Sequence, residues 1–142
     1  MLALDEHTNL AAGVSTSGFA WKYPGRVGDS AVIGAGNYCD SRFGAAACIG
    51  CGDMAIRAAT AHTGHAPSDR RGAAGGGAAG DVGPERLRGP LLQFDELRRA
   101  LSPDGIHAAF STLETATYVD MDTQSADVHE ETRTHMPWLA GA

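Results

Sequence analysis

Residues 45–61 read Ala45-Ala46-Ala47-Cys48-Ile49-Gly50-Cys51-Gly52-Asp53-Met54-Ala55-Ile56-Arg57-Ala58-Ala59-Thr60-Ala61, and the rest of the chain is placed by reference to this stretch. Ala45–Ile49 is small and apolar enough for a buried strand. Gly50-Cys51-Gly52 then turns the chain, and Asp53 stands where it would N-cap a helix carrying Met54, Ile56, Ala58, Ala59 and Ala61. Strand, glycine turn and helix make one unit. Nothing amphipathic is complete by His62, so the helix is expected to continue.

Upstream, Met1–Gly18 reads as a β-hairpin. Leu2 and Leu4 alternate with Ala3 and Asp5, Glu6-His7-Thr8-Asn9 makes the turn, and Leu10–Thr16 returns. From Ser17 to Asp40 the chain is punctuated by Gly18, Pro24, Gly25, Gly28, Gly34 and Gly36, which reads as loop with one apolar run at Ala31-Val32-Ile33.

Downstream, the pattern breaks. Residues 63–90 hold the run Gly72-Ala73-Ala74-Gly75-Gly76-Gly77-Ala78-Ala79-Gly80 and offer almost nothing but Val82 and Leu87 to bury. Such a segment cannot offset its ordering entropy and is expected to be disordered. Its origin is open between an out-of-frame stretch and an inserted flexible loop. Patterning resumes at Leu91-Leu92, with Phe94, Leu97 and Leu101 spaced for a short amphipathic helix. Pro103-Asp104-Gly105 marks a turn, Ile106–Thr112 and Thr117–Asp120 read as a second pair of strands, and Met121–Ala142 as an acidic, extended tail. The expected organisation is a core over 1–62, a low-complexity segment over 63–90, and strands plus tail of the same domain over 91–142.

The 142 residues carry 11 Lys+Arg against 17 Asp+Glu, a net charge of −6. That length suits one domain of roughly 100–200 residues. The acidic balance lacks the basic face that nucleic acid selects. No run approaches the ~18 apolar residues of a membrane span, and Met1 is not followed by a signal-peptide layout. Three cysteines, an odd count, argue against a disulfide framework and for a reducing, cytoplasmic setting.

Several motifs in order carry a specific resemblance. Asn9-Leu10-Ala11-Ala12-Gly13-Val14-Ser15-Thr16-Ser17-Gly18, Lys22-Tyr23-Pro24-Gly25-Arg26-Val27-Gly28-Asp29-Ser30, Ile33-Gly34-Ala35-Gly36-Asn37-Tyr38 and Gly44-Ala45-Ala46-Ala47-Cys48 resemble the β-chain of the N-terminal-nucleophile hydrolases called glycosylasparaginases and isoaspartyl peptidase/asparaginases. The match covers roughly 1–62. It returns weakly over 105–137, through His107-Ala108-Ala109-Phe110-Ser111-Thr112 and Arg133-Thr134-His135-Met136-Pro137.

The resemblance implies an α/β fold of two stacked β-sheets between helical layers (αββα), incomplete in this chain. It implies hydrolysis of a side-chain amide or β-aspartyl bond with no cofactor, and two partners: the α-chain of the same precursor and a small aspartyl or asparaginyl substrate. In that family an N-terminal threonine attacks the amide carbonyl, with its own amine as base. The pattern places that threonine upstream of Met1, so the chain as given is expected to be inactive. Arg26 and Asp29 match the substrate anchors, and the chemistry agrees, since a guanidinium fork suits an α-carboxylate and a carboxylate suits an α-ammonium. The competing reading is a surface ion pair. Thr16 matches the threonine that supports the nucleophile; by itself it reads as a turn residue. The family's oxyanion Thr-Gly pair aligns with Ile49-Gly50, so Gly50 retains a backbone N–H while Ile49 has no hydroxyl.

Other constellations are weaker. Cys48, Cys51, His62 and His65 imitate a Cys₂His₂ zinc site, the alternative function being a non-catalytic zinc or interaction module. The HxxH spacing is shorter than such sites use, and a redox CxxC lacks its βαβ context. Asp104, Asp120, Asp122 and Asp127 lack calcium-loop spacing. His107, His129 and His135 have no spacing that indicates a shared site. Trp21 and Tyr23, flanking the Arg26 loop, read as packing residues. No metal ligand is assigned.

Overall fold

The computed structural model describes residues 1–65, 97–125 and 127–135. The chain opens with the expected hairpin: β1, Leu2–Leu4, pairs antiparallel with β2, Leu10–Ala12, with Leu4 opposite Leu10. Asp5 organises the turn. Its carboxylate accepts the backbone N–H groups of His7 and Asn9 and the Asn9 side-chain amide, each at 2.8 Å. The Asn9 side chain, then the Asn9 backbone, hold the Asp5 carboxyl below its ordinary value. Leu10 is buried and ties the hairpin to the next layer, its N–H donating to Ser41 Oγ at 3.0 Å and its carbonyl accepting the Cys39 thiol at 3.1 Å.

After a short 3₁₀ turn at Asp29–Ala31 come β3, Asn37–Asp40, and β4, Gly44–Ile49. The strand expected at Ala45–Ile49 is thus present, with Ala45, Ala46 and Cys48 buried. Helix α1 runs Gly52–Ala58 and helix α2 Thr60–His65. Two expectations are corrected here. Asp53 is not the N-cap: Cys51 holds that position and Asp53 lies inside the first turn, where its carboxylate meets Arg26. Nor is the helix continuous, since Ala59 takes a left-handed conformation with φ 47 and separates α1 from α2.

That break has a use. The first N–H groups of a helix lack partners within it. Those of Ala61 and His62, at the start of α2, donate to the carbonyls of Ala35 at 3.1 Å and Gly34 at 2.9 Å. Small residues permit the approach. The core cluster is Ala46, Cys48, Ala55 and Ala61, with Tyr38 packed against it, and β4 and α2 meet through methyl groups.

The second half supplies β5, Leu97–Leu101, β6, His107–Ser111, β7, Thr117–Asp120, β8, His129–Thr132, and β9, Thr134–His135. A five-stranded sheet runs β3-β4-β5-β6-β9, antiparallel except for the last pair, while β7 and β8 form a separate antiparallel pair. Residues 97–101 are therefore a strand and not the expected helix. Leu97 and Leu101 are four apart, a spacing that suits one face of either structure, and pairing on both edges with β4 and β6 decides it. The strands expected near 106–112 and 117–120 are present but pair with β5 and β8, not with each other. The expected extended tail also contributes β8 and β9, while residues 136–142 lie outside the described residues.

The low-complexity reading of 63–90 is shortened at its start, because α2 carries the helix through His65. Residues 66–90 and the helix expected over 91–96 lie outside the described residues. The described architecture is mixed α/β, and among these residues no helix is long and apolar enough to cross a membrane.

Two outcomes follow from the backbone and the turn. Left-handed geometry costs a non-glycine residue roughly 1–2 kcal/mol, part of which glycine returns as unfolded-chain entropy. Ala59→Gly is therefore expected to stabilise the chain by about 0.5–1 kcal/mol in urea denaturation; a destabilisation would show that the helix break is not strained.

The Asp5 turn gives the second. A carboxylate with a lowered folded value contributes stability above its unfolded value and loses it as pH falls through the folded one. The Asn9 amide resonances should titrate with a midpoint below that of an ordinary aspartate, and Asp5→Ala should abolish the titration. A midpoint at or above the ordinary value would contradict the hydrogen-bonding scheme.

Candidate active site

Arg26 and Asp29 lie on the loop between the hairpin and β3, which bends at Gly25, φ 88. The Arg26 guanidinium reaches α1, its Nη2 lying 3.1 Å from each carboxylate oxygen of Asp53. The Arg26 side chain is 26% exposed and that of Asp53 69%, so screening limits the pair to at most ~1 kcal/mol. Its value is orientation. With Nη2 held, Nη1 and Nε remain as donors.

Asp29 is buried and opens the 3₁₀ turn. Its carbonyl accepts Val32 N–H at 2.8 Å and Gly36 N–H at 3.2 Å. Two glycines make room for it. A Cβ on Gly36 would sit 2.7 Å from the Asp29 carbonyl oxygen, and one on Gly52 would sit 2.5 Å from Asp29 Oδ1. Gly36 also accepts Cys48 N–H at 2.8 Å, which locks this loop to β4.

β4 ends at Ile49, whose side chain is exposed, and Gly50 turns the chain with φ 133. Thr16 is exposed as well, and its Oγ1 accepts Gly18 N–H at 3.0 Å in a tight turn. That bond uses only acceptor capacity and leaves the hydroxyl proton to donate. Thr16, Arg26, Asp29, Ile49 and Gly50 all line one cavity of about 970 Å³, and Met1 lines it too. Met1 arrives there because β1 is extended by one more residue pair, its amino group donating to Gly13 carbonyl at 2.7 Å and its carbonyl accepting Gly13 N–H at 2.9 Å.

Other expectations fare differently. Cys48 packs in the core, Cys51 caps α1, and His62 stands edge-on to Tyr38 with ring centroids 4.8 Å apart. Among the described residues Cys48, Cys51 and His62 do not gather as a set of metal ligands; the His65 side chain lies outside them. All three cysteines are free thiols. Trp21 and Tyr23 are exposed and do not line the cavity, against the packing expected of them.

Sequence reasoning also missed residues. Asp53 was expected at the helix end and instead holds Arg26. Tyr118 and Arg133 close the cavity from β7 and from the segment between β8 and β9. The alternation in Thr117-Tyr118-Val119-Asp120 signals a buried Tyr118, but no local pattern says what it faces.

The family model described as asparaginase matches residues 1–79. A putative N(4)-(beta-N-acetylglucosaminyl)-L-asparaginase of Drosophila melanogaster is 51% identical over 57 residues, 40% of this chain and 14% of that protein. An N(4)-(beta-N-acetylglucosaminyl)-L-asparaginase of Elizabethkingia miricola is 48% identical over 62 residues, 44% of this chain and 18% of that protein. An isoaspartyl peptidase of Escherichia coli (strain K12) is 49% identical over 61 residues, 43% of this chain and 19% of that protein. The matched segments thus cover less than a fifth of these curated relatives.

The two glycine contacts around Asp29 give a ranked expectation. At Gly52 the nearest obstacle is the end of a short side chain, with the Asp29 backbone N next at 3.1 Å, whereas at Gly36 all three nearest atoms are backbone at 2.7–2.8 Å. Gly36→Ala should destabilise by about 1–3 kcal/mol, the usual cost of overpacking, and Gly52→Ala by less. Urea denaturation of both variants checks the order, and a reversed order would contradict the placement of Asp29.

Proposed function

The chain belongs to the asparaginase family, and on that premise we propose that it forms the substrate-anchoring part of an amidohydrolase. In this reading the enzyme cleaves the side-chain amide of glycosylasparagine or the β-aspartyl bond of an isoaspartyl peptide. One observation carries it. Thr16, the Arg26–Asp29 loop and the Ile49-Gly50 turn come from three separate segments, yet all line a single cavity of the size that takes a small ligand.

The roles follow from the chemistry. Arg26, steadied by Asp53, takes the substrate α-carboxylate through its remaining donors, and Asp29 takes the α-ammonium. A threonine carried before Met1 attacks the amide carbonyl, with its own α-amine accepting the hydroxyl proton. The C–N bond breaks, that proton leaves with the amine, and an aspartyl ester remains. Water then hydrolyses the ester and regenerates the threonine. The position of Met1 on the cavity wall supports this placement of the nucleophile, and Thr16 donates its hydroxyl toward it.

Gly50 supplies a backbone N–H to the oxyanion. Ile49 supplies nothing and crowds the same space; one missing oxyanion donor typically costs about 10²–10³ in rate. The α-chain of the same precursor completes the fold as two stacked sheets between helical layers.

The test uses the enzyme carrying the upstream threonine segment together with its α-chain. Aspartate release is measured from a β-aspartyl dipeptide and from an asparagine-linked sugar. Ile49→Thr should raise kcat by roughly 10²-fold with a smaller change in KM, the signature of a contact made mainly in the transition state. Arg26→Ala should instead raise KM. Equal kcat for parent and Ile49→Thr would overturn the oxyanion assignment, and an unchanged KM in Arg26→Ala the anchoring one.

A further inference from the structure

Away from the residues assigned to hydrolysis, three strands bring three side chains together. His107 opens β6, Asp120 ends β7 and Glu131 lies in β8. A ring nitrogen of His107 and one carboxylate oxygen from each acid all lie within 4.8 Å of one another. We propose that these residues form a divalent transition-metal site of the zinc class, which staples the β7–β8 pair to the five-stranded sheet.

The ligand chemistry fits. One imidazole and two carboxylates are a donor set that zinc accepts, with bonds of roughly 2.0–2.2 Å. Two such ligands stand about 3.4 Å apart across a tetrahedral angle. His107 Nε2 and Asp120 Oδ2 are 4.0 Å apart, too far for a hydrogen bond and about 0.6 Å wider than a tetrahedral pair, a gap that small side-chain rotations close when an ion binds. Glu131 closes the third side.

The surroundings of the triad support an ion. His107 Nδ1 lies 3.1 Å from the Tyr118 hydroxyl, and that hydroxyl donates to a Glu131 carboxylate oxygen. A second ring nitrogen engaged in this way fixes the orientation of a metal-binding imidazole and leaves Nε2 to the ion. Among the described residues the other oxygen of that carboxylate, Asp120 Oδ1, is buried without a hydrogen-bond partner, so the carboxylate is undercompensated in a way that a bound cation would relieve. Two acids facing one imidazole leave the cluster negative overall whenever the imidazole is neutral.

The topology supplies a purpose. Among the described residues β7 and β8 pair with each other and share no ladder with the main sheet. An ion held by His107 from one sheet and by Asp120 and Glu131 from the other couples the two. Tyr118, between them, also lines the large cavity, so the staple fixes one wall of it. This inference does not depend on the hydrolytic reading.

The experiment titrates the 142-residue chain with zinc chloride in a chelator-buffered solution, reading stoichiometry, affinity and Tm. One equivalent should bind saturably and raise Tm. Loss of an outer-shell partner alone weakens metal sites about 10–100-fold, so His107→Gln, Asp120→Asn and Glu131→Gln should each weaken binding at least about tenfold. The Cys48→Ser/Cys51→Ser double variant should bind like the parent. X-ray absorption on the loaded parent gives a readout independent of how any variant folds: nitrogen and oxygen neighbours near 2.0–2.1 Å with no sulfur near about 2.3 Å. Absence of saturable binding, sulfur in the first coordination sphere, or parent-like affinity in the three ligand variants would each overturn the proposal.

Discussion

The backbone carbonyls of Gly34, Ala35 and Gly36 are the point to which the surroundings of the cavity are referenced. They accept, in turn, the N–H groups of His62, Ala61 and Cys48, so one three-residue segment joins α2 to β4. The next bond in the series runs from Gly36 N–H to the carbonyl of Asp29. Each bond contributes only about 0.5–1.5 kcal/mol net, but all three residues are buried, and an unpaired donor or acceptor there would cost more than the bond contributes. The constraint is steric as much as polar. A side chain at Gly36 would meet the backbone of Asp29, and larger groups at Ala46 or Ala61 would hold helix and strand apart. The alanine and glycine content of this half is therefore what lets backbone serve as the packing surface.

Much of this was legible because it is local. The hairpin follows from alternation around a polar turn, and β4 from an uninterrupted small apolar run. Arg26 and Asp29 were singled out through the resemblance carried by Lys22–Ser30, since their chemistry alone reads equally as a surface ion pair. What was not legible depends on partners distant in the chain. Leu97–Leu101 carries no decisive period of its own and becomes a strand because β4 and β6 flank it. Asp53 looks like a helix cap from its neighbours alone; only the position of Arg26, 27 residues away, shows where its carboxylate goes. His107, Asp120 and Glu131 have no common spacing, since each is delivered by a different strand.

The Arg26–Asp53 pair shows how a weak interaction can matter. With Asp53 mostly in water, the pair adds little to stability. It does restrict a long side chain that would otherwise sample many rotamers above the cavity, and ordering such a chain costs roughly 1.5–2 kcal/mol. Part of that cost is met before any ligand arrives. Asp29 is prepared by a different route, through burial between glycines. The two candidate anchors are thus positioned independently, one by a charge on α1 and the other by backbone packing.

The cavity itself is not the product of the family-matched segment alone. Residues 1–52 supply most of its lining, including Thr16, Arg26, Asp29, Ile49 and Gly50, but Ala109, Tyr118 and Arg133 close it from the second half. β6 is hydrogen-bonded into the main sheet, whereas among the described residues β7 pairs with β8 alone. Its inward side chain, Tyr118, is held through His107 on β6 and Glu131 on β8, so the far wall is positioned by a polar cluster and not by a continuous ladder. That arrangement makes the His107–Tyr118–Glu131 chain of hydrogen bonds the joint between the two halves of the cavity. It also explains why an acidic segment with no apolar periodicity can still take part in the fold: its strands are anchored by paired polar groups where the first half is anchored by close-packed alanines.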